Sequence, residues 1–336
     1  MNDQFELTVV LNKIENELKE CIHYSNNNAY KQYEEMFTYQ MDWELSSTNS
    51  RGKRIRPLLL LACTYAAGGE WQKALPAAAS LELMHNFSLI HDDIQDQSVI
   101  RRGKDTVWVK WGQPQAINSG DAMLTLSSMA VHRLLQFFPP DTVLKVDDRV
   151  HSACLELTRG QFLDISFETR EIVRVEEYTQ MIQGKTCALL AAALEIGGIL
   201  AGVKKIDQNL LFTCGNLLGQ AYQIQDDWLG IWGNNALTGK STQSDLIAKK
   251  KTYPILLGLS KEAYFFDIWN RFSIIDTSNI PDFVRALEKD GVRTETEDRM
   301  RDLYDKTQTT LNSLSFDASR IAPLRDLINK LVKRVQ

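Results

Sequence analysis

Residues 81–103 read LELMHNFSLIHDDIQDQSVIRRG, an apolar run with helical spacing set directly against three aspartates and two arginines. On a helix, Ser88, Asp92 and Asp96 fall near one face at spacings of four, with Asp93 about a quarter-turn away. Carboxylates this close repel one another and raise each other's pKa, so they stay ionised when cations join them. An oxygen-only donor set suits hard cations, Mg²⁺ first. Taken alone, the stretch also reads as a solvated helix end, since a short DDxxD pattern has many false matches. The decision rests on the rest of the chain.

Working outward, the 336 residues contain no Ser/Gly tract, low-complexity run or block of like charge, which predicts one large domain over 1–336 with a core at about 25–330. Pro is scarce at 8 and Gly modest at 18, while runs rich in Ala, Leu, Glu, Gln and Lys recur. An all-α architecture follows. The formal charge of −5, with no basic stripe, argues against a nucleic-acid binder that neutralises phosphates. Cys21, Cys63, Cys154, Cys187 and Cys214 show no CxxC spacing, so neither a disulfide framework nor a zinc site is expected, and reduced thiols in the cytoplasm are. The first twenty residues lack the apolar core of a signal peptide, and no stretch reads as a transmembrane span.

Residues 5–19 have apolar positions at helical spacing and predict an amphipathic helix packed on the body or on a partner. Polar patches at Asn26–Asn28 and Ser46–Asn49 read as loops. The second runs into Arg51-Gly52-Lys53-Arg54-Ile55-Arg56-Pro57, a cationic cluster just ahead of an apolar helix. Helix dipole, free N–H groups and cations there would favour a phosphate; a solvated basic loop is the alternative. Arg101 and Arg102 follow the acids closely. They read either as salt-bridge partners of the acids or as planar forks gripping the anion that the metals hold. Gln161, Asp164 and Glu168 share a helical face, and Lys185-Thr186 precedes an Ala-rich run suited to close helix packing.

A second acidic cluster lies in QAYQIQDDWLGIWG at 220–233, where Gly219, Tyr222, Gln223 and Asp226 share a face of an otherwise apolar helix. Gly239-Lys240, Asp245 and Lys249-Lys250-Lys251 follow. Two acid-tipped helices, each trailed by cations, repeat one chemical logic: divalent ions and a bound diphosphate.

These residues carry a resemblance to the trans-isoprenyl diphosphate synthases of the polyprenyl synthetase family. It rests on GKRIRP at 52–57, His85, DDIQD at 92–96, RRG at 101–103, GQFLD at 160–164, KT at 185–186, QIQDD at 223–227, and GK followed by Asp245, all in order. The resemblance implies an all-α isoprenoid synthase-type bundle around a deep central cavity, usually a homodimer, joining isopentenyl diphosphate to an allylic diphosphate. Asp92, Asp96 and Asp226 match the Mg²⁺ ligands, with three ions implied and Mn²⁺ as an alternative metal. Asp93, Gln161, Asp164, Thr186, Gln223, Asp227 and Asp245 match supporting positions, and Arg101, Lys185 and Lys240 match cations on the allylic diphosphate. Metals and cations would stabilise the charge growing on the leaving pyrophosphate. Lys53, Arg56, His85 and Arg102 match the isopentenyl diphosphate site. A terpene cyclase on the same scaffold has no need of that second site, and a non-catalytic subunit would be expected to lose acids from the first cluster; all are present here.

One departure is plain: the second motif reads DDWLG, with Gly230 where many members have a third aspartate. The expectation is that Asp245 or water substitutes, and that Gly230→Asp leaves turnover within about tenfold. Prenyl tails would run down the apolar helix below the first acids, where Phe87 is a candidate floor, Met84 a second stop one turn lower, and Ser88 a small neighbour leaving room. This pattern suggests a C15–C20 product with C20 favoured, against a purely packing role for Phe87. The C-terminal Lys333 and Arg334 read as a solvated tail, with closure over a diphosphate as the alternative.

Overall fold

The computed structural model describes residues 5–23, 31–43, 52–233, 244–272 and 274–332. Lys240, the loops at 26–28 and 46–49, Arg51, Gly239, Lys333 and Arg334 therefore lie outside the described residues. The fold is all-α, as the composition predicts, and the only strands among the described residues are two of two residues each. By contacts the chain divides into two compact units, 1–154 with 192–209 and 315–325, and 155–191 with 210–314 and 326–336.

In the first unit, α1 (Leu7–Ile22) buries Val10, Ile14, Leu18 and Cys21, a stripe that recurs every three to four residues. It packs on α4 of the same unit. Helices α2 (Lys31–Gln40) and α3 (Ile55–Ala66) precede α4 (Leu75–Gln95). The centre of the unit is α4, where Leu81, Leu83 and Met84 are fully buried. Only its C-terminal end emerges, at Gln95 and Asp96. A hairpin of β1 (Ile100–Arg101) and β2 (Lys104–Asp105) follows, then α5 (Val107–Trp111) and α6 (Gln113–His132). Helix α6 lies antiparallel to α4: Ser80 and Ser127 hydroxyls meet at 2.9 Å near one end, and His91 Nε2 sits 3.3 Å from the Ile117 carbonyl near the other. Gly120 makes that approach possible, because a Cβ there would lie 2.2 Å from the His91 ring.

Helix α7 (Pro140–Thr169) contributes residues 155–169 to the second unit. There α8 (Val175–Ile182) passes through one π turn, Gln183–Cys187, into α9 (Ala188–Leu200). The π turn joins two helices of 8 and 13 residues into one of 26. By length and composition alone this joined helix could cross a membrane, which corrects the sequence expectation of no such stretch; 89% of its most apolar window is buried in the protein. Next comes α10 (Lys205–Trp232). Gly215 and Gly219, one turn apart, lie against Ala191 and Cys187, also one turn apart, and a Cβ at either glycine would come within 2.4 or 2.7 Å of the facing backbone. This glycine ridge brings the polar residues one turn further along, Gln223 and its neighbours, against the π turn. Phe265, Phe283, Ile255 and Leu287 form an apolar core with Ile231 of α10.

Candidate active site

The cationic cluster at 52–57 separates by depth. Lys53 is exposed, Arg56 is half-buried, and Arg54 is buried with 2% exposure. Arg54 adopts a left-handed backbone (φ 47°), which turns its side chain inward. Its Nε is 2.7 Å from Glu15, one Nη is 2.9 Å from Glu82, and the other donates to the Met41 carbonyl at 3.1 Å. Two carboxylates on one guanidinium make Arg54 the tie between α1, α2 and α4 rather than an anion ligand. Sequence reasoning left Glu15 and Glu82 aside; a glutamate inside an apolar helical run was the available signal.

The acids at the end of α4 also divide. Asp93, with 2% exposure, accepts from one edge of Arg101: Nε lies 2.9 and 2.8 Å from its two oxygens and Nη2 is 2.8 Å from Oδ1. Burial raises the Asp93 pKa against the pull of Arg101. Of the two sequence readings of Arg101, the structure realises the ion pair with the acid cluster. Asp92 is half-buried and Asp96 exposed.

The arginines diverge because the hairpin turn is tight. Arg102 and Gly103 both have positive φ, 53° and 79°, the two-residue geometry that matches strand twist. Arg101 is thereby sent to Asp93, and Arg102 to Asp42 at 2.7 Å. The sequence shows no Asn-Gly or Asp-Gly signal at this turn, so the hairpin was not foreseen.

His85 is half-buried one and a half to two turns before Asp92 on α4. Burial first, then the charges of Arg56, Arg102, Arg101 and Arg54, hold its pKa well below the ordinary value. The ring is uncharged at neutral pH, and Lys53 precedes these groups on the exposed side. Because the unfolded chain takes up a proton near pH 6.5 and the folded chain does not, stability falls as pH drops below that point. Wild type should therefore lose up to about 1.4 kcal/mol more per pH unit than His85→Gln between roughly pH 6.5 and 5.5, measured by urea denaturation. Parallel curves would remove His85 from this electrostatic cluster.

Below His85, Met84 is fully buried, Phe87 and Ser88 are 5% exposed, Ser88 donates to the His85 carbonyl at 2.8 Å, and the Phe87 ring meets His91 edge-on at 5.5 Å.

In the second unit the π turn lies against α7 through two glycines. A Cβ at Gly160 would fall 2.1 Å from the Lys185 nitrogen, and one at Gly184 would fall 2.4 Å from the Glu156 carbonyl. This contact delivers Lys185 Nζ to Asp164 at 2.5 Å, one turn beyond Gly160. Thr186 donates to Gln223 Oε1 at 2.6 Å, and Gln223 Nε2 donates to Asp227 at 3.0 Å. Gln161 is buried beside them in sequence, at 6% exposure. Asp227 also accepts from Tyr178 Oη at 2.5 Å and from the Tyr253 backbone N–H at 2.9 Å. Burial pushes its pKa up to about 7 while these three donors hold it down. Asp227 is thus a support, and Asp226 beside it in sequence is half-buried. Tyr178 was missed by sequence reasoning, since a tyrosine in an amphipathic helix gives no local sign of its distant acceptor. Two of the three lysines after Asp245 are structural: Lys249 donates to the Phe272 carbonyl at 2.7 Å and Lys251 to that of Phe167 at 2.5 Å.

Asp245 takes the space that Gly230 leaves. A Cβ at Gly230 would lie 2.7 Å from Asp245 Oδ2. A carboxylate at 230 would push this acid away and repel it, so Gly230→Asp should lower turnover by more than about tenfold, which replaces the milder sequence expectation. Steady-state rates across Mg²⁺ concentrations test this, and near-wild-type rates would show that Asp245 is idle.

The donor set suits Mg²⁺. Among the described residues no three His, Cys, Asp or Glu side chains converge into a closed cage. Mg²⁺ takes one or two carboxylates and completes its shell with water and phosphate oxygens, so it needs no such cage.

The chain matches the family described as polyprenyl synthetase over residues 42–269. It is 43% identical to a (2E,6E)-farnesyl diphosphate synthase of Mycobacterium bovis over 207 residues, 62% of this chain and 56% of that one. It is 39% identical to a geranylgeranyl diphosphate synthase of Sulfolobus acidocaldarius, covering 63% of this chain and 65% of that one. The chain thus matches less than two thirds of the length of these relatives. Among solved structures, a geranylgeranyl pyrophosphate synthetase from Pyrococcus horikoshii superposes with a TM-score of 0.85 at 30% identity, covering 96% of this chain and 95% of that one. With a matching family pattern, a shared helical fold and both acidic helices in place, the chain belongs to the polyprenyl synthetase family.

Proposed function

We propose that the chain is a Mg²⁺-dependent trans-prenyltransferase that condenses isopentenyl diphosphate with an allylic diphosphate, releasing pyrophosphate. The observation that carries this reading is the Arg102 guanidinium lying against Gly52 and, with Arg56, near His85, while Arg101 and Arg54 are taken by Asp93, Glu15 and Glu82. We read this cationic pair as an anion site apart from Asp92 and Asp96, which a cyclase would not need. Lys53, Arg56, His85 and Arg102 bind the isopentenyl diphosphate. Asp92, Asp96 and Asp226 are the carboxylates that would hold Mg²⁺, which when bound would supply charge neutralisation at the allylic diphosphate. Lys185 adds positive charge there, and Lys240 and Arg101 have the same role by resemblance. Asp93 holds Arg101 in place, while Asp164, Asp227, Gln223, Thr186, Gln161 and Asp245 keep the second acidic helix and its lysine in position. The allylic C–O bond breaks, the isopentenyl double bond attacks the resulting cation, and the departing pyrophosphate takes the proton that restores the alkene. No side-chain nucleophile enters.

The product is a C15–C20 prenyl diphosphate, with geranylgeranyl diphosphate favoured; the relatives include synthases named for each length. Phe87→Ala should shift products to longer chains, read by mass spectrometry, and an unchanged distribution would leave Phe87 a packing residue. The same proposal treats 1–336 as one catalytic domain acting in the cytoplasm as a homodimer. Leu155 at 73% and Phe162 at 69% exposure, two turns apart on α7, offer apolar surface for a second copy.

The test is incubation of purified protein with Mg²⁺, isopentenyl diphosphate and each allylic diphosphate in turn. A prenyl diphosphate lengthened by isopentenyl units is expected. A hydrocarbon product would mark a cyclase, and no product a non-catalytic subunit; either would overturn the reading.

A further inference from the structure

Among the described residues six non-glycines have positive φ, and three of them, Asp42 (61°), Arg54 (47°) and Arg102 (53°), are joined in one knot of the first unit. Asp42 has 1% exposure, and its two oxygens take different cations of the hairpin: Arg102 Nη1 at 2.7 Å on Oδ2, and Lys104 Nζ on Oδ1. The preceding residue is pinned as well, because the Met41 carbonyl accepts from Arg54 at 3.1 Å. On its other side the Arg102 guanidinium lies against Gly52, where a Cβ would be 2.9 Å from one nitrogen and 3.2 Å from the central carbon. A left-handed aspartate is backbone strain that persists only when its surroundings hold it, and strain of this kind gathers at functional sites.

We propose that Asp42 is a positioning residue for the isopentenyl diphosphate site: it aims Arg102 across Gly52 and into the field around His85 without touching substrate. This rests on the function proposed above. One carboxylate between two cations leaves a net positive charge at the hairpin, and a guanidinium with one nitrogen on Asp42 keeps its other donors for a second anion. Nothing in the local sequence marks Asp42, which lies 60 residues from Arg102.

The test uses Asp42→Asn in the full-length protein. Asparagine tolerates the left-handed backbone and keeps the shape, while the charge and one of the two acceptors facing Arg102 and Lys104 are lost. The KM for isopentenyl diphosphate should rise about tenfold, the scale of one charge-assisted hydrogen bond, with kcat and the KM for the allylic substrate within about threefold. Calorimetric Kd for isopentenyl diphosphate should weaken in parallel. Gly52→Ala, which presses on the Arg102 guanidinium from the opposite side and leaves Asp42 intact, should give the same split, and it keeps the proposal testable if Asp42→Asn does not fold. An unchanged KM in both variants, or a fall in KM showing that Asp42 competes with substrate for Arg102, overturns the positioning role. Arg102→Ala separates this from the broader reading. If Arg102→Ala raises the KM and the other two variants do not, Asp42 alone is wrong; if Arg102→Ala leaves it unchanged, the assignment of the isopentenyl diphosphate site fails.

Discussion

Asp226→Ala is expected to lower prenyl transfer by about a thousandfold or more, the scale seen when a preorganised electrostatic contact to developing charge is removed. The neighbouring substitution provides the contrast. Asp227 accepts from Tyr178, Gln223 and the Tyr253 N–H in a buried setting, and Asp227→Ala would leave those donors without their acceptor. Each buried group so orphaned costs about 1–3 kcal/mol, so Asp227→Ala should lose stability along with activity. Asp226 is half-buried, whereas Asp227 is 5% exposed. Steady-state rates with saturating Mg²⁺, paired with thermal midpoints, distinguish the two. Normal turnover in Asp226→Ala would show that the second acidic helix is not catalytic, and equal loss of stability in both variants would show that the two carboxylates share one structural role.

Gly160→Ala is expected to damage fold and function together. The added methyl would lie 2.1 Å from the Lys185 nitrogen and 2.7 Å from the Gly184 carbonyl carbon, both backbone atoms that cannot rotate away. Overpacking of this kind costs about 1–3 kcal/mol, and relief requires the π turn to move off α7. Lys185 would then leave Asp164, and Thr186 would leave Gln223, so turnover should fall by at least about tenfold at temperatures where the variant is still folded. Differential scanning calorimetry and product assays check both halves. A midpoint and a rate equal to wild type would mean that the helices have slack the glycine contact does not suggest.

Much of the fold was legible because helices announce themselves by period. The apolar run before Asp92, the face shared by Gly219 and Gln223, and the stripe of Val10, Ile14 and Leu18 are local patterns, and each forms the expected helix. Boundaries moved little, from 5–19 to Leu7–Ile22 in the first case. The long apolar helix Val175–Leu200 was not foreseen as one piece, since Gln183-Gly184-Lys185-Thr186 interrupts its hydropathy and only the π turn carries the backbone through.

The site was legible as chemistry but not as pairing. Two aspartate clusters, each with cations after it, are visible in residue order, and so is the carboxylate missing at Gly230. Which cation meets which acid was not visible. Arg101 and Arg102 are adjacent and chemically equal, yet a two-residue turn sends one to Asp93 and the other to Asp42. Arg54 and Arg56 are two apart, yet a left-handed residue turns one into the core. Spacing along the chain determines helices, their apolar faces and the kinds of group at their ends, because those depend on neighbours within about one turn. The partner of each charge depends on turn geometry and on contacts between residues tens of positions apart, and only the tertiary structure decided it.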